Sequence, residues 1–275
     1  MATILDQILT DTRERVAQAK RRVPVDDLEA RPAFHAPTLS LATALRRAGG
    51  PAIIAECKQA SPSEGVIRAE YAPTEIAIAY KNNAAAALSV LTEPDHFQGS
   101  LDDLATVRAT VDLPILRKDF IVDEYQLFEA RAYGADAVLL IAAALDPAQL
   151  RDLHDAATDL GLSVLVEVHD ETEVDTLDLD PIGLLGVNHR DLKTFEIDLS
   201  KSARIFARLP ERIVRVAESG LHTADDLARL TDHGAEAFLI GTAFMRATDP
   251  GRALAALRRE TAVALAEQQR LRLAS

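Results

Sequence analysis

The stretch Ala137-Val138-Leu139-Leu140-Ile141 is apolar at every position, and its reading decides the fold. A strand with one wet face alternates apolar and polar residues, whereas a strand apolar throughout has both faces covered, as in a parallel sheet flanked by helices. Seven further short, predominantly apolar runs recur: Ala52–Cys57, Ala86–Leu91, Pro114–Arg117, Ser163–Val168, Leu184–Val187, Ile213–Ala217 and Ala237–Ile240. Taken in order, the eight runs start 34, 28, 23, 26, 21, 29 and 24 residues apart, and amphipathic helical stretches separate most of them. Each interval accommodates one strand and one crossover helix. Eight such units without a long linker predict an α/β chain folded as a (β/α)8 TIM barrel rather than an open sheet.

The first 50 residues stand outside this count and read as an amino-terminal helical extension of a single domain spanning 1–275. Thr3 is a candidate N-cap with Asp6 as its capping-box partner, and Ile4, Leu5, Ile8, Leu9 and Val16 then fall at helical spacing. A second helix is expected from Ser40 to Arg47. Whether this extension plugs the bottom or side of the barrel or packs near its mouth stays open at this level.

Composition narrows the function. The 275 residues are 48% hydrophobic and carry a net charge of −13, which places the chain in the ordinary globular range and opposes binding to nucleic acid or an anionic membrane. Lys20-Arg21-Arg22 is too short for a nucleic-acid arm and reads as the charged end of a helix. The longest apolar run, Ala137–Leu145, is too short for a bilayer of about 30 Å. Met1-Ala2-Thr3-Ile4-Leu5-Asp6 lacks the charged and apolar segments of a secretory signal. A lone Cys57 makes no intramolecular disulfide, so the expected compartment is the cytoplasm. The seven histidines show no metal-ligand spacing, and no metal is expected. Lysine is scarce, six against twenty-four arginines, so a lysine inside an apolar run stands out.

In such a barrel the working residues sit at the carboxyl ends of the strands. The runs end on Glu56-Cys57-Lys58, Thr92-Glu93, Lys118-Asp119-Phe120, Glu167-Val168-His169, Asn188-His189-Arg190-Asp191, Glu218-Ser219-Gly220 and Gly241-Thr242. Glu56, Lys58, Lys118, Glu167 and Glu218 lie at or inside the ends of apolar runs, where an unpaired charge costs several kcal/mol. Ser219-Gly220 and Gly241-Thr242, after the last two strands, offer backbone N–H groups to which an anion can come close, the usual place for phosphate in a barrel. Lys58, Lys118 and Arg190 would make this rim a small basic exception to an acidic surface.

These residues carry a family resemblance. Glu56-Cys57-Lys58-Gln59-Ala60-Ser61-Pro62-Ser63 resembles the Glu-x-Lys-x-x-Ser-Pro-Ser signature of the indole-3-glycerol phosphate synthases. Val90-Leu91-Thr92-Glu93 with Phe97, Leu116-Arg117-Lys118-Asp119-Phe120, Leu165-Val166-Glu167-Val168, Gly186–Leu192, Ala217-Glu218-Ser219-Gly220 and Leu239-Ile240-Gly241-Thr242 follow in the family's order. The resemblance implies closure of the pyrrole ring of 1-(2-carboxyphenylamino)-1-deoxyribulose 5-phosphate with loss of carbon dioxide and water. It implies no metal or organic cofactor, and it leaves room for association with other tryptophan-pathway enzymes. It assigns Lys118 as general acid at the ketone, Lys58 to the substrate carboxylate and to acid work in either step, and Glu167 as base in dehydration with Glu56 as competitor. Asn188 would hold a hydroxyl or oxyanion, and Glu218 and Arg190 would complete a polar ring. Ser61 and Ser63 would contact the ligand, Phe97 and Phe120 wall its aromatic ring, and Ser219, Gly220, Leu239, Gly241 and Thr242 surround its phosphate end.

Gln59 and Glu64 stand where members commonly carry a cation, and His189 where a second Asn is common. Cys57 invites comparison with barrel isomerases that use a cysteine base, but alternation places it opposite Glu56 and Lys58, outside the barrel. His169 and His189 read as rim residues. Two other functions stay alive at this level, a phosphosugar isomerase and a barrel that binds a phosphorylated ligand without chemistry.

Overall fold

A computed structural model of the chain describes residues 3–191 and 194–274. Met1 and Ala2 of the amino-terminal reading and Leu192 of the sixth motif lie outside them. The strands are β1 (Ala52–Cys57), β2 (Ala87–Leu91), β3 (Ile115–Lys118), β4 (Ala137–Ile141), β5 (Ser163–Val168), β6 (Leu184–Asn188), β7 (Val214–Glu218) and β8 (Ala237–Ile240). All pair in parallel with their sequence neighbours, and β8 closes on β1 from Ala52↔Ala237 to Ala55↔Ile240. The result is the closed eight-stranded barrel that the spacing predicts.

Four expected runs match their strands residue for residue, and the rest move by one position at one or both ends. Pro114 gives its carbonyl to Leu88 but has no N–H, so β3 starts at Ile115. At the other ends, β3, β6 and β7 continue one residue past the apolar run, because Leu91↔Lys118 and Asn188↔Glu218 prolong the ladder through polar residues.

Alternation along the strands divides the core into two layers. Ile54, Leu116, Leu139, Leu165, Val216 and Leu239 fill the barrel, whereas Ile53, Ala55, Cys57, Val90, Val138 and Leu140 pack between strands and helices. The amino-terminal extension serves both ends. Helix α1 (Ile4–Arg22) starts at a Thr3–Asp6 capping box, and α2 (Val25–Glu29) leads towards α3 (Leu41–Arg46), which Ser40 caps. Leu41 and Leu45 of α3 pack against Ala52, Ala137, Leu184, Val214 and Ala237 where the strands begin, plugging the bottom. Helix α1 crosses to the opposite end, where Arg15 meets Glu93 at 3.1 Å and Asp95 at 2.8 Å, and Lys20 meets Asp123 at 2.7 Å. Both alternatives left open for the extension therefore hold, each for a different helix. Among the described residues no helix is long and apolar enough to cross a membrane.

Candidate active site

All sixteen residues to which the resemblance gives a catalytic or substrate-binding role line one pocket at the carboxyl end of the barrel. Beneath its mouth, Lys118 Nζ on β3 lies 3.3 Å from Glu167 Oε2 on β5 and 3.8 Å from Glu218 Oε2 on β7. The other Glu167 oxygen accepts a hydrogen bond from Asn188 Nδ2 at 3.0 Å and lies 3.4 Å from His169 Nε2. Just past the end of β1, Lys58 Nζ rests 2.7 Å from Glu56 Oε1.

Burial and proximity drive the two glutamates apart. Burial raises the Glu167 pKa, but Lys118, His169 and the Asn188 hydrogen bond outweigh it and leave the carboxyl below its ordinary value. Glu218 is pushed well above its ordinary value by burial and by the neighbouring Glu167. Burial disfavours the Lys118 ammonium, but Glu167, Glu218 and Glu56 together raise its pKa above the ordinary lysine value. Two like groups whose pKa values are driven apart are the arrangement that general acid–base chemistry uses.

Two glycines make room for these carboxylates. A Cβ at Gly186 on β6 would fall 2.0 Å from Glu218 Oε1, and one at Gly241 would fall 2.2 Å from Glu56 Oε1. Gly241, singled out for close approach to an anion, thus also clears space for Glu56. Gly186 lets the Glu218 side chain lie across β6 towards Glu167.

The loop after β1 folds back as a two-stranded hairpin, Ala60–Ser61 against Gly65–Val66, bringing Ser61, Ser63 and Glu64 to the pocket. Glu64 Oε1 lies 3.6 Å from Arg190 and its other oxygen bonds Arg246. Phe97 and Phe120 face each other across the mouth with centroids 6.0 Å apart. The α1 residues Ile4, Leu5 and Ile8 complete the wall. Their helical spacing was legible, but nothing in it named the surface they cover. Below Phe120, buried Arg117 bonds Asp119 at 2.9 Å and Glu129 at 3.1 Å, fixing the end of β3 from outside the barrel.

One expectation is corrected. The rim is not a basic exception, because Lys58, Lys118 and Arg190 share the pocket with Glu56, Glu64, Asp119, Glu167 and Glu218. Each of the three cations already faces a carboxylate. For a phosphate the last two strand ends offer backbone: Ser219 and Gly220 take consecutive left-handed conformations, φ +65° and +72°, and Gly241 and Thr242 lie beside them in the lining. Cys57 is buried in the layer between strands and helices, and burial pushes its thiol far above the ordinary range, so it is no base for this pocket.

A parallel eight-stranded barrel with a buried lysine–glutamate cluster at its carboxyl end is the framework of a barrel enzyme built for acid–base chemistry. KGPDC from Streptococcus mutans superposes with a TM-score of 0.58 at 16% identity over 77% of this chain and 97% of that one, a likeness of fold alone. Indole-3-glycerol phosphate synthase of Salinibacter ruber (strain DSM 13855 / M31) is 54% identical over 268 residues, covering 97% of this chain and 99% of its own. That of Polaromonas sp. (strain JS666 / ATCC BAA-500) is 48% identical over 264 residues, covering 94% and 98%. The family model for indole-3-glycerol phosphate synthase matches residues 5–257. The chain belongs to the indole-3-glycerol phosphate synthase family, lyases of tryptophan biosynthesis.

Proposed function

We propose that this pocket decarboxylates, cyclises and dehydrates 1-(2-carboxyphenylamino)-1-deoxyribulose 5-phosphate to indole-3-glycerol phosphate. The observation that carries the assignment of roles is the Lys118 ammonium held 3.3 Å from Glu167, whose pKa lies below its ordinary value, and 3.8 Å from Glu218, whose pKa lies well above it. Ring closure joins the ring carbon bearing the carboxylate to the ketone carbon, and Lys118 gives its proton to the ketone oxygen as that bond forms. Loss of carbon dioxide then restores the aromatic ring. Dehydration removes a proton, which Glu167 takes as the ionised base, and a hydroxide, which leaves as water with a proton from a lysine. Lys58, paired with Glu56 at the end of β1, holds the substrate carboxylate.

Asn188 acts on Glu167 rather than on substrate in this reading. Its amide N–H donates to Glu167 while its Oδ1 accepts the Arg190 backbone N–H at 3.0 Å, so both ends of the amide are engaged. Glu218, whose pKa is raised by burial and by Glu167, stands as a proton-holding neighbour of Lys118. Phe97 and Phe120 flank the aromatic ring. The backbone N–H groups after β7 and β8 cradle the phosphate, with Leu239 beneath. We further take 1–275 as one domain, the cytoplasm as its compartment and other enzymes of the pathway as its associates.

Incubation with the carboxyphenylamino deoxyribulose phosphate should generate indole fluorescence. Folded protein that yields none would overturn the assignment and return the isomerase and the non-catalytic barrel to consideration.

A further inference from the structure

His189, where the sequence departs from the family pattern, closes β6 and is fully buried. Its Nδ1 lies 3.2 Å from the Ser219 carbonyl oxygen, and its Nε2 lies 2.6 Å from Ser202 Oγ on the helix Lys201–Phe206. A carbonyl only accepts, so Nδ1 carries the proton and donates it. Burial holds the imidazole below its ordinary pKa, so the ring is neutral and bare Nε2 accepts from the Ser202 hydroxyl. The two partners fix both the ring and its tautomer.

The Ser219 carbonyl belongs to the loop after β7. Ser219 stands at φ +65°, a conformation that is strained for a residue with a Cβ and persists only when the surroundings hold it. Gly220 follows at φ +72°, and a Cβ there would fall 2.4 Å from Ile197 Cγ2. The peptide joining them is planar and trans, so its carbonyl and its N–H point in opposite directions. With the carbonyl drawn down to buried His189, the Gly220 N–H is turned away from the interior, towards the pocket that both residues line.

We propose that His189 is a positioning residue for anion binding: by holding the Ser219 carbonyl it aims the Gly220 N–H at the phosphate of the substrate. The inference rests on the reading of the Ser219-Gly220 turn as part of the phosphate site. An Asn side-chain nitrogen occupies nearly the place of Nδ1 and can donate the same bond, although it cannot also reach Ser202. Leucine can do neither.

The test compares KM, kcat and competitive inhibition by inorganic phosphate in the full-length protein. His189→Leu should raise KM and the phosphate inhibition constant together by about tenfold, the loss of one well-aimed hydrogen bond to a charged group, while kcat changes less than about threefold. His189→Asn should stay within about threefold on all three. A role confined to packing would lower the stability of both variants without separating KM from kcat or Asn from Leu. Unchanged phosphate affinity in folded His189→Leu overturns the proposal. Should that variant not fold, Ser202→Ala loosens the ring while leaving Nδ1 in place and should weaken phosphate about two- to fivefold, and no change there overturns it equally. Gly220→Ala serves as the control. If it too leaves phosphate affinity intact, the phosphate site itself is misplaced, whereas a weakened Gly220→Ala beside an unaffected His189→Leu removes only the part given to His189.

Discussion

A charge buried at the end of an apolar run costs several kcal/mol unless something compensates it, and Lys118, Glu167 and Glu218 compensate one another. Lys118→Ala and Glu167→Gln should each cut kcat by about 10²–10⁴, the usual worth of a positioned acid or base, measured as indole formation at saturating substrate. Activity near wild type would remove the altered residue from its role. Glu218 behaves differently. Its proton is bound more tightly in the folded chain than at the ordinary value of 4.5. The stability this lends is full below that value and is lost as pH rises towards the folded pKa. Glu218→Gln escapes the loss, so the melting temperature of the variant relative to wild type should climb between pH 5 and pH 8. A difference that is flat or shrinks over that range means Glu218 is ionised in the native state. The strand-end positions of these residues were legible from charge placed in apolar runs. The protonation pattern was not, because it depends on Gly186 letting Glu218 cross β6 towards Glu167, a proximity that spacing along the chain does not encode.

The elements show the same division. The apolar-run criterion ended β3, β6 and β7 one residue early, at Arg117, Val187 and Ala217. The residues it omitted, Lys118, Asn188 and Glu218, are ladder residues that also line the pocket, so hydrophobicity stops before hydrogen bonding does where function begins. Helix α1 was legible through its capping box and its apolar face, but an amphipathic pattern says that a face is buried and not against what. Its location is set by pairs distant in sequence, chiefly Arg15 with fully buried Glu93. Arg15→Met leaves that carboxylate with only the backbone N–H groups of Asp95, His96 and Phe97, a deficit of about 1–3 kcal/mol. The variant should melt a few degrees lower and show KM raised severalfold, since Ile4, Leu5 and Ile8 lose their hold over the mouth, with kcat changed less than about threefold. An unaltered KM would mean that α1 covers the pocket without contributing to binding.

At the scale of the molecule, a net charge of −13 confronts a substrate that bears both a phosphate and a carboxylate. Had the rim been a basic exception, local attraction would have dominated the encounter and added salt would have weakened it. The structure instead gives each pocket cation a carboxylate partner at short range, so the field at the mouth follows the sign of the whole surface. Recognition of the phosphate then falls to backbone N–H groups after β7 and β8, and that of the carboxylate to Lys58 already paired with Glu56, both acting only at short range. Attraction is therefore short-ranged and repulsion long-ranged, and salt screens the second far more than the first. The screening length shrinks to about 10 Å at 0.1 M. It follows that kcat/KM should rise by about two- to threefold as sodium chloride is raised from about 10 to 150 mM, with kcat nearly constant. A steady fall over that interval would show that Lys58, Lys118 and Arg190 draw the substrate in from a distance despite their partners.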